Sequence, residues 1–433
     1  MKNFCKLTLL ASVICSTLAC ANSGFIKVNG KHFQRDNKPY YFLGTNFWYG
    51  MNLGSKGKGG DRNRLTRELD RLQNLGVKNL RVLALSEGPN SEAWRILPAV
   101  QTSPGVFDET LLEGLDFLLS EMSKRDMTAV MCLNNFWPWS GGMAQYLNWF
   151  GQGSIPYPPP AENGDWDKYQ KFTGKFYSNK QAVDASLNAI KKIITRVNTF
   201  TGKSYSEDTA IMSWQLANEP RGMNNVKAFN AWIENTSNFI RSLDQNHLIT
   251  TGSEGETPYQ SYAGMDFIKN HSYKNIDYST IHIWAQNWNW YDPENFEGTY
   301  ASAINKMKNY LNDHNAKAIK IGKPMVIEEF GLSREKNSYN PFSKTPQRDM
   351  YYREVFSSVL NLSQAKSPVA GVNFWAWAGE ALPKQPYGSI WKDGDPFLGD
   401  PPHELQGWYS VYKDDLSTIS VIGEFADKFN SIK

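Results

Sequence analysis

The sequence predicts an α/β protein built as a single (β/α)8 TIM barrel with extended βα loops, and three observations carry that prediction. Eight short β-type runs alternate with stretches of helical period. The first run is followed by Asn46-Phe47-Trp48-Tyr49-Gly50 and not by a Gly-x-Gly-x-x-Gly fingerprint, which sets aside a doubly wound dinucleotide-binding sheet. Several runs end in polar residues, the end at which a barrel builds its active face.

In chain order, residues 1–21 carry Lys2 and Lys6, an apolar run from Leu7 to Leu18, and then Ala19-Cys20-Ala21, the layout of a secretory signal cleaved just before Asn22. The run is too short to span a membrane, and Thr17 stands where a lipoprotein signal wants an aliphatic residue, so release is expected rather than a lipid anchor on Cys20. Cleavage removes Cys5, Cys15 and Cys20 and leaves Cys132 alone, so the mature chain has no internal disulfide. Cys132 sits in the apolar run Thr128–Asn134 and reads as a small buried hydrophobe. Residues 22–433 read as one (β/α)8 catalytic domain, because no Ser/Thr/Pro linker, repeat or low-complexity tail divides them. Within it, residues 22–40 are expected to cover the bottom of the barrel.

The expected strands are Tyr41–Asn46, Asn79–Ala84, Thr128–Leu133, Ile211–Ala217, His247–Thr251, Tyr278–Ile283, Pro324–Glu329 and Gly371–Trp375. Helical stretches lie between them at Asp61–Leu75, Thr110–Lys124, Ala182–Phe200, Val226–Leu243, Tyr300–Ala318 and Pro346–Leu362. Gly54-Ser-Lys-Gly-Lys-Gly-Gly60 lacks the Gly-Lys-Ser/Thr ending of a phosphate loop and is expected to be a flexible connection. The long segment Asn135–Asn179, after the third strand, carries Trp137, Trp139, Trp149, Trp166 and Tyr157.

Composition narrows the partner. Lys and Arg number 46 against 43 Asp and Glu, a net +3 without blocks of like charge, which argues against nucleic acid or an anionic membrane. Aromatic residues reach 14%, with 15 Trp and 21 Tyr, a surplus suited to stacking on the apolar faces of neutral sugars. Glycoside hydrolysis then needs two carboxylates on one face. The fourth run ends in Asn218-Glu219-Pro220 and the seventh in Glu328-Glu329-Phe330-Gly331. Strand alternation sends Glu328 and Glu329 to opposite faces, so one joins Glu219 and the other serves as a structural acid. The chain has no His-Glu-x-x-His, Asp393-Gly394-Asp395 is too short for a calcium loop, and Gly-x-Ser-x-Gly is absent, so neither a metal, a cofactor nor an esterase triad is expected.

Asn218-Glu219-Pro220 followed by Glu329-Phe330-Gly331 resembles glycoside hydrolase family 5, and Arg81, Asn134-Asn135, His282 and Trp375 fall in order on the matching strands. Within that family Gly44–Trp48, Asn134–Gly142, Trp214–Arg221 and His282–Trp288 look like the landmarks of β-mannanases, although Trp284 stands where the family more often has Tyr, Ala285 where it often has Pro and Leu83 where it often has Trp. The resemblance implies a retaining enzyme on mannan, glucomannan or galactomannan, with Glu329 as nucleophile and Glu219 as an acid/base that starts protonated. It places Arg81 beside the charge of Glu329, Asn218 on the sugar 2-hydroxyl, and His282 on a carboxylate or sugar hydroxyl. Asn135, Trp137, Trp284 and Trp288 would line substrate sites, and Trp375, with Trp377 second, would form the platform at the cleavage point. Exo-β-mannosidase or endo-β-1,4-glucanase action on the same framework, and a carbohydrate-binding protein that does not cleave, are the alternatives. The expected partner is a β-mannan-type polysaccharide or oligosaccharide, met outside the cytoplasm by a monomer, with no membrane involved unless Cys20 is lipidated.

Overall fold

The computed structural model describes residues 24–432; the expected export segment, Cys20 included, lies outside them. Eight parallel strands form the centre: β1 (Phe42–Asn46), β2 (Asn79–Leu83), β3 (Thr128–Cys132), β4 (Ile211–Gln215), β5 (Leu248–Thr250), β6 (Ser279–Ile283), β7 (Met325–Phe330) and β8 (Val369–Phe374). They hydrogen-bond in the order β5-β4-β3-β2-β1-β8-β7-β6, and a parallel bridge from Thr250 to Tyr278 closes the ring. Every residue of every strand is buried. That burial on both faces explains why the strands read as apolar runs instead of alternating patterns.

The strand ends agree with the sequence to within two residues, whereas the helices differ more. Val226–Leu243 forms as expected, and Pro346–Gln364 extends only slightly beyond expectation. The stretch Ala182–Phe200 is helical only over Lys180–Ile194. Beyond it Asn198 Oδ1 accepts the amides of Phe200 and Thr201, a local side-chain bond that competes with helix continuation. Tyr300–Ala318 is the middle of a longer helix, Phe296–Ile321, capped by Asn295 and ended by the left-handed Gly322. The eighth helix is Leu416–Asn430.

Three short strands, Lys27–Asn29, His32–Arg35 and Lys38–Pro39, form a small antiparallel sheet. Phe33 meets Tyr278 edge-on at 5.3 Å and Phe25 meets His247 at 5.0 Å, which places this sheet at the N-terminal ends of β6 and β5. The lower barrel is filled by a hydrogen-bonded chain from Tyr40 through Thr128 and Asn79 to Asn373, in which most of the buried polar groups find a partner. Cys132 is buried and free, and burial pushes its thiol up to about 12, the state of an inert thiol. Gly54 is not part of a loose connection: a Cβ there would lie 2.4 Å from the carbonyl oxygen of Gly114, so close approach to the helix Glu109–Ser123 requires glycine.

Two long insertions rise on the active side. One is residues 135–179; the other, which the sequence did not single out, is residues 375–415 between β8 and the last helix. Asp400 holds the second by accepting the amides of Gly407 at 2.8 Å and Tyr409 at 2.6 Å. Gln406 donates to the carbonyls of Asp400 and Pro401 within the same loop. The insertions meet where Trp166 packs edge-on against His403 at 6.2 Å.

After β5 the chain turns at Gly252, whose φ is 76° and whose added Cβ would lie 1.9 Å from the carbonyl oxygen of Ala217. Gly252→Ala therefore loses about 2 kcal/mol or more, because both strain and a backbone clash act. Urea unfolding beside the parent chain measures this, and an unchanged midpoint would contradict the packing described.

Candidate active site

β4 delivers Glu219 through a short polar extension. The amide of Asn218 bonds the carbonyl of Asn134 at 2.9 Å and that of Glu219 the carbonyl of Gly252 at 3.0 Å, so the segment stays threaded between its neighbours after the regular strand ends. Glu219 itself has φ 48°, a left-handed conformation that few non-glycine residues adopt, and it aims the carboxyl over the barrel mouth. Strain of this kind persists where the surroundings over-determine it.

β7 delivers both of its acids inward. The pairing of β6 with β7 runs Ile281 to Ile327 and then His282 to Glu329, so Glu328 is the extra residue of a bulge. Simple alternation predicted opposite faces for Glu328 and Glu329, and the bulge is the physical reason that it fails. Glu329 accepts from the Arg81 guanidinium, and Glu328 Oε2 accepts from Gln215 Nε2 at 2.6 Å with Arg81 Nε at 3.8 Å. Glu328 is thus the structural acid, but it serves from inside the barrel.

Arg81 ties four strands together. Its Nε donates to Gln215 at 2.9 Å, one terminal nitrogen to Asn46 at 3.0 Å as well as to Glu329, and the other to Asn218 at 2.6 Å. Burial disfavours its charge, but Glu329 and Glu328 more than offset this and hold the guanidinium protonated above its ordinary range. His282 is buried with Nδ1 at 2.5 Å from Glu219 and 3.2 Å from Glu329. Burial lowers its proton affinity, yet the charges of Glu329 and Glu219 raise it well above the usual histidine value.

Glu219 differs from the expectation of a carboxyl that begins protonated. Burial alone would raise it, but the charge and hydrogen bond of His282, the charge of Arg221 and the Trp137 N–H bring it down to about 2. The lowered carboxyl and the raised imidazole form one coupled titration in which their contact favours the charged pair. The sequence places these residues on separate strands, β4, β6 and β7, and cannot show that Nδ1 stands between the two carboxylates.

The remaining residues fall into two groups. Trp137 donates its indole N–H to Glu219 Oε2 at 2.5 Å. Trp375 lies edge-on between Trp139 at 6.3 Å and Trp284 at 5.9 Å, with its N–H buried and without a partner among the described residues. Asn218 accepts from Arg81 and gives one N–H to Asn135 at 3.2 Å. The structure does not bring the others to the opening in the same way. Asn135 is wholly buried and its amide is used on Trp137, Asn218 and Ser140, so it supports the site from beneath. Trp288 packs into the hydrophobic layer against Trp290 at 4.9 Å and Tyr310 at 5.3 Å. Trp377 turns outward and donates to Glu68 at 3.0 Å.

Several residues at the site were not singled out. Asn46 and Gln215 hold Arg81, and the polar ends of their strands were the available signal. Arg221 binds Glu254 at 2.6 Å; Glu254 follows β5 in Ser253-Glu254-Gly255, so the same strand-end rule would have reached it. Glu404 lies in the 375–415 insertion, where burial first, then the charge of Asp400 and, less, those of Glu329 and Glu219 raise its carboxyl well above the ordinary range. Nothing local in Pro401-Pro402-His403-Glu404 announces that position.

Ligand-type atoms of Glu219, His282 and Glu329 converge within 4.8 Å of one another. Arg81 already donates to Glu329, and His282 Nδ1 stands 2.5 Å from Glu219 and 3.2 Å from Glu329, so the carboxylates have partners from the protein and these residues are not assigned to a metal.

Residues 23–433 match the family model described as GH family 5 beta-mannosidase-like. The mannan endo-1,4-beta-mannosidase 5 of Solanum lycopersicum is 30% identical over 377 residues, 83% of each chain. Among solved structures, a glycoside hydrolase family 5 mannosidase from Rhizomucor miehei is 36% identical with a TM-score of 0.86, the match covering 94% of this chain and 98% of that one. The endo-beta-1,4-mannanase of Thermotoga petrophila is 25% identical with a TM-score of 0.66, over 92% of this chain and 78% of its own.

The depressed Glu219 carboxyl makes stability depend on acid. A group lowered from 4.5 to about 2 contributes stability that is complete above 4.5 and is lost as pH falls toward 2. Across that window the unfolding free energy of the parent chain falls more steeply than that of Glu219→Gln. Urea titrations at several pH values test this, and parallel slopes would show that the carboxylate gains nothing from folding.

Proposed function

The chain belongs to glycoside hydrolase family 5, in its β-mannosidase-like group, and we propose on that premise that it hydrolyses β-1,4-mannosidic bonds in mannan, glucomannan or galactomannan by retaining double displacement. The observation that carries the mechanism is that Glu219 and Glu329 bring oxygens within 4.8 Å of each other, with His282 bridging them. Retaining enzymes hold their carboxyls about 5–5.5 Å apart, whereas inverting ones need about 6.5–9.5 Å to admit a water.

Glu329, charge-balanced by Arg81, attacks the anomeric carbon. The leaving oxygen takes a proton from Glu219, drawn from the coupled pair that Glu219 forms with His282 as the leaving group becomes basic. Covalent capture removes the charge of Glu329, and Glu219 then acts as base on the incoming water. The second N–H of Asn218 Nδ2 is left for the sugar 2-hydroxyl, and Trp375 offers its ring and free N–H at the cleavage point. Among the described residues no helix is long and apolar enough to cross a membrane. With residues 1–21 as export signal, the enzyme acts outside the cytoplasm, as a monomer.

A second reading, removal of sugars from chain ends, is supported by one feature: the 135–179 and 375–415 insertions meet at Trp166 and His403, and Glu404 in the second lies within electrostatic reach of Glu219 and Glu329. Loops that meet across one end of a cleft favour a substrate terminus there over a continuous chain.

Glu329→Ala lowers turnover by about three orders of magnitude or more while leaving sugar binding and folding. Proton NMR of the first product shows the β anomer; an α anomer, or an active Glu329→Ala, would sink the assignment. On unbranched β-1,4-mannan, with a cellulose derivative in parallel, mixed oligosaccharides appear early under the first reading and mannose alone under the second. Glu404→Gln shifts the product profile only if that carboxyl bounds the cleft.

A further inference from the structure

The most developed unassigned feature is a chain of contacts that leaves Glu219 and returns to it. Arg221 stands two residues beyond Glu219, tied to it through Pro220, whose ring restricts the link. It does not extend into solvent. One terminal nitrogen donates to Gln170 at 2.7 Å, the other to Glu254 at 2.6 Å, and the guanidinium lies 4.8 Å from the centre of the Trp137 ring. The Trp137 backbone amide is fixed by Asn135 Oδ1 at 3.0 Å, and its indole packs on Tyr169 at an interplanar angle of 18°. The free end of that indole is the N–H on Glu219 Oε2.

We propose that Arg221, held by Glu254 and Gln170, is a positioning residue for the acid/base that acts through Trp137. This rests on the double-displacement reading above. A carboxyl at the end of a flexible side chain is oriented only if both oxygens are held. His282 holds Oε1 and Trp137 holds Oε2. Trp137 can do so only while its ring plane is fixed, and a planar cation with two forked bonds fixes a ring face where a lysine ammonium would not.

The arrangement also sets which form of Glu219 is favoured. The groups facing it are His282 from β6, Glu329 from β7, Arg81 from β2, Trp137 from the loop after β3, Arg221 from its own segment, Glu254 after β5 and Glu404 from the insertion after β8. The Trp137 N–H and the Arg221 charge both favour the carboxylate, the form needed as base in the second step. Losing either raises the proton affinity of Glu219 and slows hydrolysis of the glycosyl-enzyme.

The test is a double-mutant cycle at Arg221 and Trp137 on an aryl β-mannoside, with kcat and KM followed across pH. Arg221→Met lowers kcat about tenfold, changes KM less than about twofold and moves the alkaline limb upward. Trp137→Phe moves that limb in the same direction; because Arg221→Met also removes a charge that acts on Glu219 directly, the coupling is read with Arg221→Lys, whose double variant with Trp137→Phe goes no further than Trp137→Phe alone. Additive losses, or an alkaline limb that stays in place, overturn the proposal. Where Arg221→Met does not fold, the cycle with Arg221→Lys still reads the coupling. The parent chain's turnover separates the two failures: an inactive parent overturns both readings, and an active parent with additive variants overturns this one alone.

Discussion

Three carboxylates, those of Glu219, Glu328 and Glu329, are buried together at the mouth of the barrel, and the rest of the site is arranged around making that tolerable. Buried charges of one sign cost several kcal/mol each unless opposite charge and hydrogen bonds reach them. Arg81 and His282 supply the charge, and Gln215, Asn46, Asn218 and Trp137 supply or orient the hydrogen bonds. Because these partners come from separate strands, the constraint is met only when the ring is closed. The polar network and the barrel therefore depend on each other.

The same constraint gives the two catalytic candidates different surroundings. Glu329 faces a guanidinium that cannot release a proton, whereas Glu219 faces an imidazole that can. A permanent cation suits a carboxylate that must stay ionised, and a titratable partner suits one that must exchange a proton within a turnover. Two acids at similar strand ends thus acquire different partners, with the β7 bulge deciding which of its two glutamates stands opposite His282.

Much of this was legible in the amino-acid sequence. Apolar strands buried on both faces are recognisable without alternation, and their polar C-terminal ends point to Asn218-Glu219, to Glu328-Glu329 and to His282 in turn. Helix limits were less legible where side chains such as Asn198 divert the backbone. Aromatic residues were least legible of all: Trp137, Trp284, Trp288, Trp375 and Trp377 look alike in sequence, yet one donates to Glu219, one to Glu68 and one only fills the hydrophobic layer. An indole serves equally well in a cleft or in a core, so composition cannot separate these fates.

What the sequence determined by itself is the alternation of strand and helix, hence the parallel barrel, and the type of chemistry at its strand ends, since both follow from local pattern and side-chain type. The tertiary structure alone decided which glutamate of the β7 pair stands opposite His282, and that Trp137 and Glu404 approach Glu219 from distant parts of the chain. The reason is physical: proton affinity and orientation depend on charges and donors within a few ångströms, and in a closed barrel those come from residues up to hundreds of positions apart, as from Arg81 to Glu329.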